Sequence, residues 1–203
     1  MCSTSPSPCP KPPVSVPEPG VPAGAEHVLR LAQVGFDAVA ELLSRYDLSL
    51  VEIAREEPIP GSYWGDCEAG IIASRVFARA DTPIHSLLHE ACHLIVLPAE
   101  RRASVHTDAT DCTLEEDAAC YLQIVLADQL PGVGSERLMA DMDAWGYSFR
   151  LGATRDWFER DAEDARQWLA ARGLLDPVSA LPFPPALPGA AHAPPPAGDH
   201  PAP

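Results

Sequence analysis

Apolar residues recur at every third or fourth position in several stretches of the chain, which is the spacing of one buried helix face. The pattern predicts helices over residues 26–44, 83–97, 113–130, 136–143 and 155–172. Breaking residues support several of the predicted ends. Thr82 and Pro83 suit an N-cap and a first helical position, whereas Pro131 and Gly173 follow the ends of two helices.

One region has the opposite pattern. Residues 70–79, GIIASRVFAR, are rich in β-formers and partly alternate, which predicts a strand or a tight hairpin. The Pro- and Gly-rich segment 56–70 and the polar segment 101–112 are predicted loops, and 48–53 is a short apolar piece of unclear type. The sequence therefore predicts a mostly helical α+β fold, with a short β element before the helix at 83–97.

Proline marks the boundaries of the folded domain. Of 23 prolines, all but five lie near the two ends of the chain. We expect residues 1–24 and 177–203 to be disordered tails, because such Pro-rich segments bury little apolar surface. The folded domain is predicted to span 25–176, so His192 and His200 are set aside as site residues.

The charge balance excludes some partners. The 203-residue chain has 29 acidic and 14 basic residues, a net charge of −15. This argues against nucleic acid or an anionic membrane surface as the main partner, because both are polyanions. No apolar run reaches the length of a membrane span, and the N-terminus lacks the apolar stretch of a secretory signal. We therefore expect a cytoplasmic location. In that reducing compartment the six cysteines, which show no CxxC pair, are expected to be free thiols.

The residues most informative about chemistry form an HExxH motif, His89-Glu90-Ala91-Cys92-His93. Positions i and i+4 of a helix are about 40° apart in rotation and about 6 Å apart along the axis. Two imidazoles so placed can converge on one tetrahedral Zn²⁺. Glu90 lies about 100° round the helix, where it suits a general base acting on a metal-bound water. Cys92 falls on the buried arc and is not predicted to be a nucleophile.

A catalytic zinc ion needs a third protein ligand, and the helix at 113–130 offers two glutamates. Helical phase places Glu115 above Ala119 and Leu122, facing a packed neighbour. Glu116 lies at capping-box spacing from Thr113, which gives it a structural role. We therefore predict that Glu115 is the ligand. The alternatives are Glu116 and the loop residue His106.

His85 lies one turn before the motif on the same face. It cannot join both motif histidines around one ion, because residues i and i+8 are about 12 Å apart along the axis. It is better interpreted as a first-turn or pocket-rim residue. Polarising a substrate carbonyl requires a further electrophile, for which His85, His106 and Tyr121 are the candidates.

Over residues 67–130 the chain resembles the small ImmA/IrrE-type domains, which are zincin metallopeptidases of the gluzincin kind. The resemblance rests on GIIASRVFAR, then HSLLHEACHLIV, then LEEDAACYLQIVLA, in which Glu115 is followed three residues later by Ala118. It implies a zincin-like fold, with His89, His93 and Glu115 as zinc ligands and Glu90 as general base.

The sequence thus predicts a zinc-dependent hydrolase, a metallopeptidase acting on a peptide or protein substrate. The first alternative is a non-catalytic zinc module that senses or scaffolds. The second is a helical interaction protein without a metal. Elemental analysis of the purified protein separates this last class from the other two.

Overall fold

The computed structural model describes residues 25–63, 65 and 67–176. Within this part the chain is an α+β fold with a small three-stranded sheet, which confirms the coarse fold prediction. The predicted tails lie outside the described residues. The helices are α1 Leu31–Val34, α2 Phe36–Ser44, α3 Ile84–Val96, α4 Ala99–Arg102, α5 Thr113–Ala127, α6 Ser135–Trp145, α7 Thr154–Arg160 and α8 Glu163–Ala171. None of these helices has the length and apolar character needed to span a bilayer.

The sheet consists of β1 Ser49–Glu52, β2 Gly70–Ile72 and β3 Arg75–Ala78, in the order β1-β3-β2. β1 runs parallel to β3, and β2 runs antiparallel to it. The segment predicted as a strand or tight hairpin is therefore a hairpin, which turns at Ala73 with a φ of 53°. The short apolar piece of unclear type contains β1.

Two predicted helices are broken in the structure. The first is divided at Gly35, whose φ of 100° lies outside the helical region and separates α1 from α2. The predicted helix at 155–172 is divided into α7 and α8, because Asp161 and Ala162 leave helical geometry. The short helix α4 overlaps the start of the segment predicted to be a loop.

The core is centred on α3, which packs chiefly against α5. Large apolar residues of α3 are fully buried, and the small residues Ala118 and Ala119 of α5 are also inaccessible to solvent. Burying one large apolar side chain contributes about 1.5–3 kcal/mol. The cysteines of the described part, Cys67, Cys92, Cys112 and Cys120, are free thiols, as predicted.

The segment that leads into α1 is hydrogen-bonded to the start of α3. Ile84 N donates to Leu29 O, and Leu31 N donates to Thr82 O, both at 2.9 Å. The buried carboxylate of Asp141 in α6 accepts a hydrogen bond from Leu29 N at 2.9 Å. Thr82 is not the N-cap, because Pro83 occupies that position and the Thr82 hydroxyl accepts from Arg79 N instead. The start of α3 is thus fixed by backbone contacts.

Candidate metal centre

His89, His93 and Glu116 form a compact group between α3 and α5. One turn of α3 separates the two histidines, and their Nε2 atoms lie 3.0 Å apart. Glu116 approaches from α5, with Oε1 at 3.2 Å from His89 Nε2 and Oε2 at 3.3 Å from His93 Nε2. The helix spacing that predicted converging histidines therefore places them as expected, and packing of α5 on α3 adds the carboxylate.

These distances suit a tetrahedral zinc ion. Zinc binds imidazole nitrogen at about 2.0–2.1 Å and carboxylate oxygen at about 2.0–2.2 Å, so neighbouring ligand atoms lie about 3.3 Å apart. Here the two Nε2 atoms are 3.0 Å apart, and each lies 3.2 or 3.3 Å from a different oxygen of the Glu116 carboxylate. Three protein ligands of this kind leave the fourth position of a tetrahedral site open.

The charges of the group would accommodate a bound cation. Burial raises the pKa of Glu116, but His89 and His93 outweigh burial and lower that pKa to about 2. Burial, together with His89, lowers the pKa of His93 to about 4. For His89, burial lowers the pKa, but the ionised Glu116 carboxylate and other neighbours raise it well above the usual value. In the metal-free protein His89 therefore supplies the positive charge beside Glu116, and a metal ion would take over that role.

The charges of the metal-binding group also act on Glu90, although Glu90 is not a member of that group. Burial raises its pKa to about 7, with contributions in the same direction from Glu116, Glu68 and Asp108, while His89 opposes the shift. A carboxyl group with a pKa near neutrality can both accept and release a proton at physiological pH. Glu90 is thus electrostatically suited to the role of general base.

The structure brings Glu116, and not the predicted Glu115, to the two histidines. Arg101 binds Glu115 through Nη1 to Oε1 at 2.7 Å and Nη2 to Oε2 at 3.1 Å. The Thr110 hydroxyl also donates to Glu115 Oε2. Glu115 therefore lies outside the histidine group. Glu116 occupies the position that was predicted for Glu115. Helical phase failed because α5 is buried on every side from Ala118 onward, so an apolar stripe does not identify the face toward α3.

The predicted capping box is also wrong. Helix α5 begins at Thr113, its N-cap is Cys112, and no side-chain cap hydrogen bond is present at this helix end. Glu116 N instead donates to the Cys112 carbonyl at 3.0 Å within the helical pattern. The Glu116 side chain is therefore not engaged in capping and is available to face the histidines.

The other candidates from the sequence, His106, Tyr121 and His85, are not members of the metal-binding group. His106 is exposed and pairs with Ile72 at the outer edge of β2, so it is not a member of the metal-binding group. Tyr121 stacks on Phe158 with ring centroids 4.6 Å apart. His85 is 1% exposed, and neither ring nitrogen has a hydrogen-bond partner within the described part of the chain. Burial, with His89 and Arg30, lowers its pKa to about 3, so His85 is neutral.

Sequence reasoning missed Tyr147, which contacts the group from the segment after α6. Its ring meets His89 edge-on at a centroid distance of 5.9 Å and His85 at 5.6 Å. Gly146, with a φ of 100°, ends α6 and redirects the chain so that Tyr147 reaches α3. The signal in the sequence was a tyrosine directly after a helix-ending glycine, but nothing local indicated which helix it would contact.

Comparison with protein-family models, curated proteins and solved structures finds no match to this chain. Any functional conclusion therefore depends on the chemistry of the site.

Proposed function

We propose that this protein is a zinc-dependent hydrolase that cleaves peptide bonds, with His89, His93 and Glu116 as the metal ligands. The observation that carries this proposal is the convergence of two Nε2 atoms and one carboxylate group, with contacts of 3.0–3.3 Å between them, and with Glu90 in the same charged surroundings. Two imidazoles and one carboxylate form a ligand set of catalytic zinc sites. The succession of a hairpin, an HExxH helix and a helix with a carboxylate supports the zincin-like resemblance.

Zinc bound here would lower the pKa of a coordinated water and polarise a carbonyl oxygen. The Glu90 carboxylate accepts a proton from the attacking water and later passes it to the leaving amine. Glu90 directly follows His89 in α3 and is not one of the three grouped residues, which is compatible with a base that is not a ligand. Its pKa of about 7 suits both halves of this transfer.

Tyr147 is the residue that we assign to the developing negative charge on the substrate oxygen. Its ring lies against His89, and its side chain is only partly buried. Burial raises the pKa of the phenol well above its usual range, with Cys120, Glu68 and Glu116 acting in the same direction and His89 opposing. The phenol therefore remains protonated and can donate a hydrogen bond. This contact favours Tyr147 over the three electrophiles considered from the sequence.

The substrate class proposed is a peptide or protein, and the compartment proposed is the cytoplasm. Free thiols at the described cysteines support a reducing environment. Because the chain carries a net charge of −15, a neutral or basic substrate is favoured over an acidic one.

The test combines metal analysis with hydrolysis by the full-length protein. Wild type should retain about one zinc per chain after dialysis and cleave members of a broad peptide library. Glu90→Gln should keep the zinc and lose at least about 100-fold in kcat, because the amide cannot accept the proton. Glu100→Gln, at an exposed position of α4, is the matched control and should behave as wild type.

The outcomes separate the three classes of function. Zinc binding without hydrolysis of any peptide would favour the non-catalytic sensor or scaffold. Failure of wild type to retain zinc, cobalt or manganese would overturn the metal centre itself. Full activity of Glu90→Gln would overturn the role of Glu90 while leaving the metal site in place.

A further inference from the structure

Cys120 contacts two members of the metal-binding group, His89 and Glu116. Its Sγ is 3.9 Å from His89 Nδ1 and 4.0 Å from Glu116 Oε1. The residue is only 4% exposed, so water does not compete freely for these contacts. Cys120 follows Glu116 by four positions in α5, and residues at this spacing share one helix face.

A histidine that binds a metal through one ring nitrogen usually donates the other N–H to a partner, which fixes its tautomer and ring orientation. His89 directs Nε2 toward His93 and Glu116, so Nδ1 is the nitrogen that requires such a partner. Cys120 Sγ lies where it can accept a hydrogen bond from that nitrogen. His93 differs, because its Nδ1 is buried without a partner among the described residues.

A thiol can serve both neighbours at once. Sulfur accepts a hydrogen bond weakly, and the S–H group donates one. Accepting from His89 Nδ1 leaves the S–H proton free to point at Glu116 Oε1. Both contacts are close to 4 Å, a length that suits the large sulfur atom better than a hydroxyl oxygen.

We propose that Cys120 is the positioning residue of the metal centre, accepting a hydrogen bond from His89 Nδ1 and donating one to Glu116 Oε1. The proposal deepens the proposed function and rests on its metal site. Cys120 is not a metal ligand, because the ligand atoms that converge are those of His89, His93 and Glu116. It acts through two of them, by holding the His89 ring and the Glu116 carboxylate in the orientation that the metal requires.

The first experiment measures Zn²⁺ affinity of the full chain by competition with a chromophoric chelator. Cys120→Val keeps a similar volume and removes both polar contacts, so the affinity should fall about 10- to 100-fold. Cys120→Ser keeps a donor and an acceptor and should lose less than Cys120→Val. The matched control is Cys92→Val, another fully buried thiol, which should stay within about threefold of wild type.

Two results would overturn the proposal. One is an affinity of Cys120→Val within threefold of wild type. The other is an equal loss in Cys120→Ser and Cys120→Val, since it would indicate packing alone. Circular dichroism of each variant checks that it is folded before its affinity is interpreted.

A second measurement reads hydrogen bonding and not hydrolysis, and therefore separates this proposal from the proposed function. In the zinc-loaded protein Nε2 of His89 would face the metal, so Nδ1 carries the ring proton. In long-range ¹H–¹⁵N spectra the ¹H chemical shift of that proton should move upfield in Cys120→Val, because its acceptor at 3.9 Å is lost. The same chemical shift in wild type and in Cys120→Val would refute the positioning role, even if both proteins bind zinc.

Discussion

Arg101 and Glu115 form a bidentate ion pair, which holds the Glu115 carboxylate on the α4 side of α5. The neighbouring Glu116 carboxylate lies between His89 and His93. Two adjacent acids of one helix turn therefore have separate partners, Glu115 an arginine of α4 and Glu116 the two histidines of the candidate metal centre.

Glu116→Gln should abolish zinc retention, because the amide offers one weak oxygen ligand in place of a charged carboxylate. Glu115→Gln is the control and should keep the zinc. It should lose about 1 kcal/mol of stability with the partly exposed Arg101 ion pair. Elemental analysis after mild chelation and thermal melting measure the two effects. The opposite result would return the ligand to Glu115.

Tyr147→Phe should lower kcat about 100- to 1,000-fold, the usual cost of removing one donor to a developing oxyanion. KM and zinc content should change little, because the phenol is not a ligand. Tyr121→Phe is the matched control, since that ring stacks on Phe158. Steady-state kinetics on a cleaved peptide measure the split between kcat and KM, and equal effects of both substitutions would refute the assignment.

Asp117 makes the folded state less tolerant of high pH. Burial raises its pKa to about 6, and Glu116, Asp161 and Asp164 act in the same direction. A carboxyl group whose pKa is raised on folding has no effect below about pH 4 and destabilises the folded state increasingly as pH rises through 6.

Asp117→Asn should therefore stabilise the metal-free protein at pH 8 and leave it unchanged near pH 3.5. Because the side chain is only partly buried, screening reduces the gain to about 1 kcal/mol, or roughly 3 °C in Tm. Melting curves at the two pH values, with chelator present, measure it. Glu52→Gln, at the exposed end of β1, is the control and should show no such pH-dependent gain.

Gly70 is required by a close backbone approach. A Cβ atom at this position would collide with the backbone of Pro60 and Ser62 and lie 2.6 Å from the Gly61 carbonyl carbon. Gly70→Ala should cost about 3 kcal/mol or more, because backbone must move at the start of β2. At Gly132 an added Cβ meets nothing within 4 Å, so Gly132→Ala should cost only about 1 kcal/mol through its φ of 76°. Urea unfolding compares the two, and similar losses would contradict this explanation.

A chain trimmed to residues 25–176 should fold as cooperatively as the full-length protein. All but five of the 23 prolines lie outside that range. Thermal melting of the two proteins should give midpoints within about 2 °C, because the core is shared. A broad, non-cooperative transition of the trimmed chain would show that the ends contribute to the core.

Local signals were sufficient for the hairpin and for α3. Their residues combine β-formers around a tight turn, then an apolar helical stripe that ends before Pro98. The pairing of His89 with His93 follows from helix geometry alone. These features depend on neighbours a few positions apart, so they could be derived from the sequence.

The remaining members of the site depend on contacts between distant segments. Glu116 reaches the histidines because of how α5 rotates when it packs on α3, and the nearly uniform burial of α5 conceals that rotation in the sequence. Tyr147 reaches them only after Gly146 turns the chain back. The break at Gly35 depends on a glycine conformation that residue spacing does not reveal.

The hydrogen bond from Leu29 to Asp141 spans 112 positions of the chain. During synthesis Leu29 leaves the ribosome first, and its partner is added only after the sheet, α3 and α5 have been made. Throughout that interval the segment before α1, which contacts the start of α3, lacks its hydrogen bond to α6. A nascent chain released before residue 141 would therefore lack the contact that ties the segment before α1 to α6.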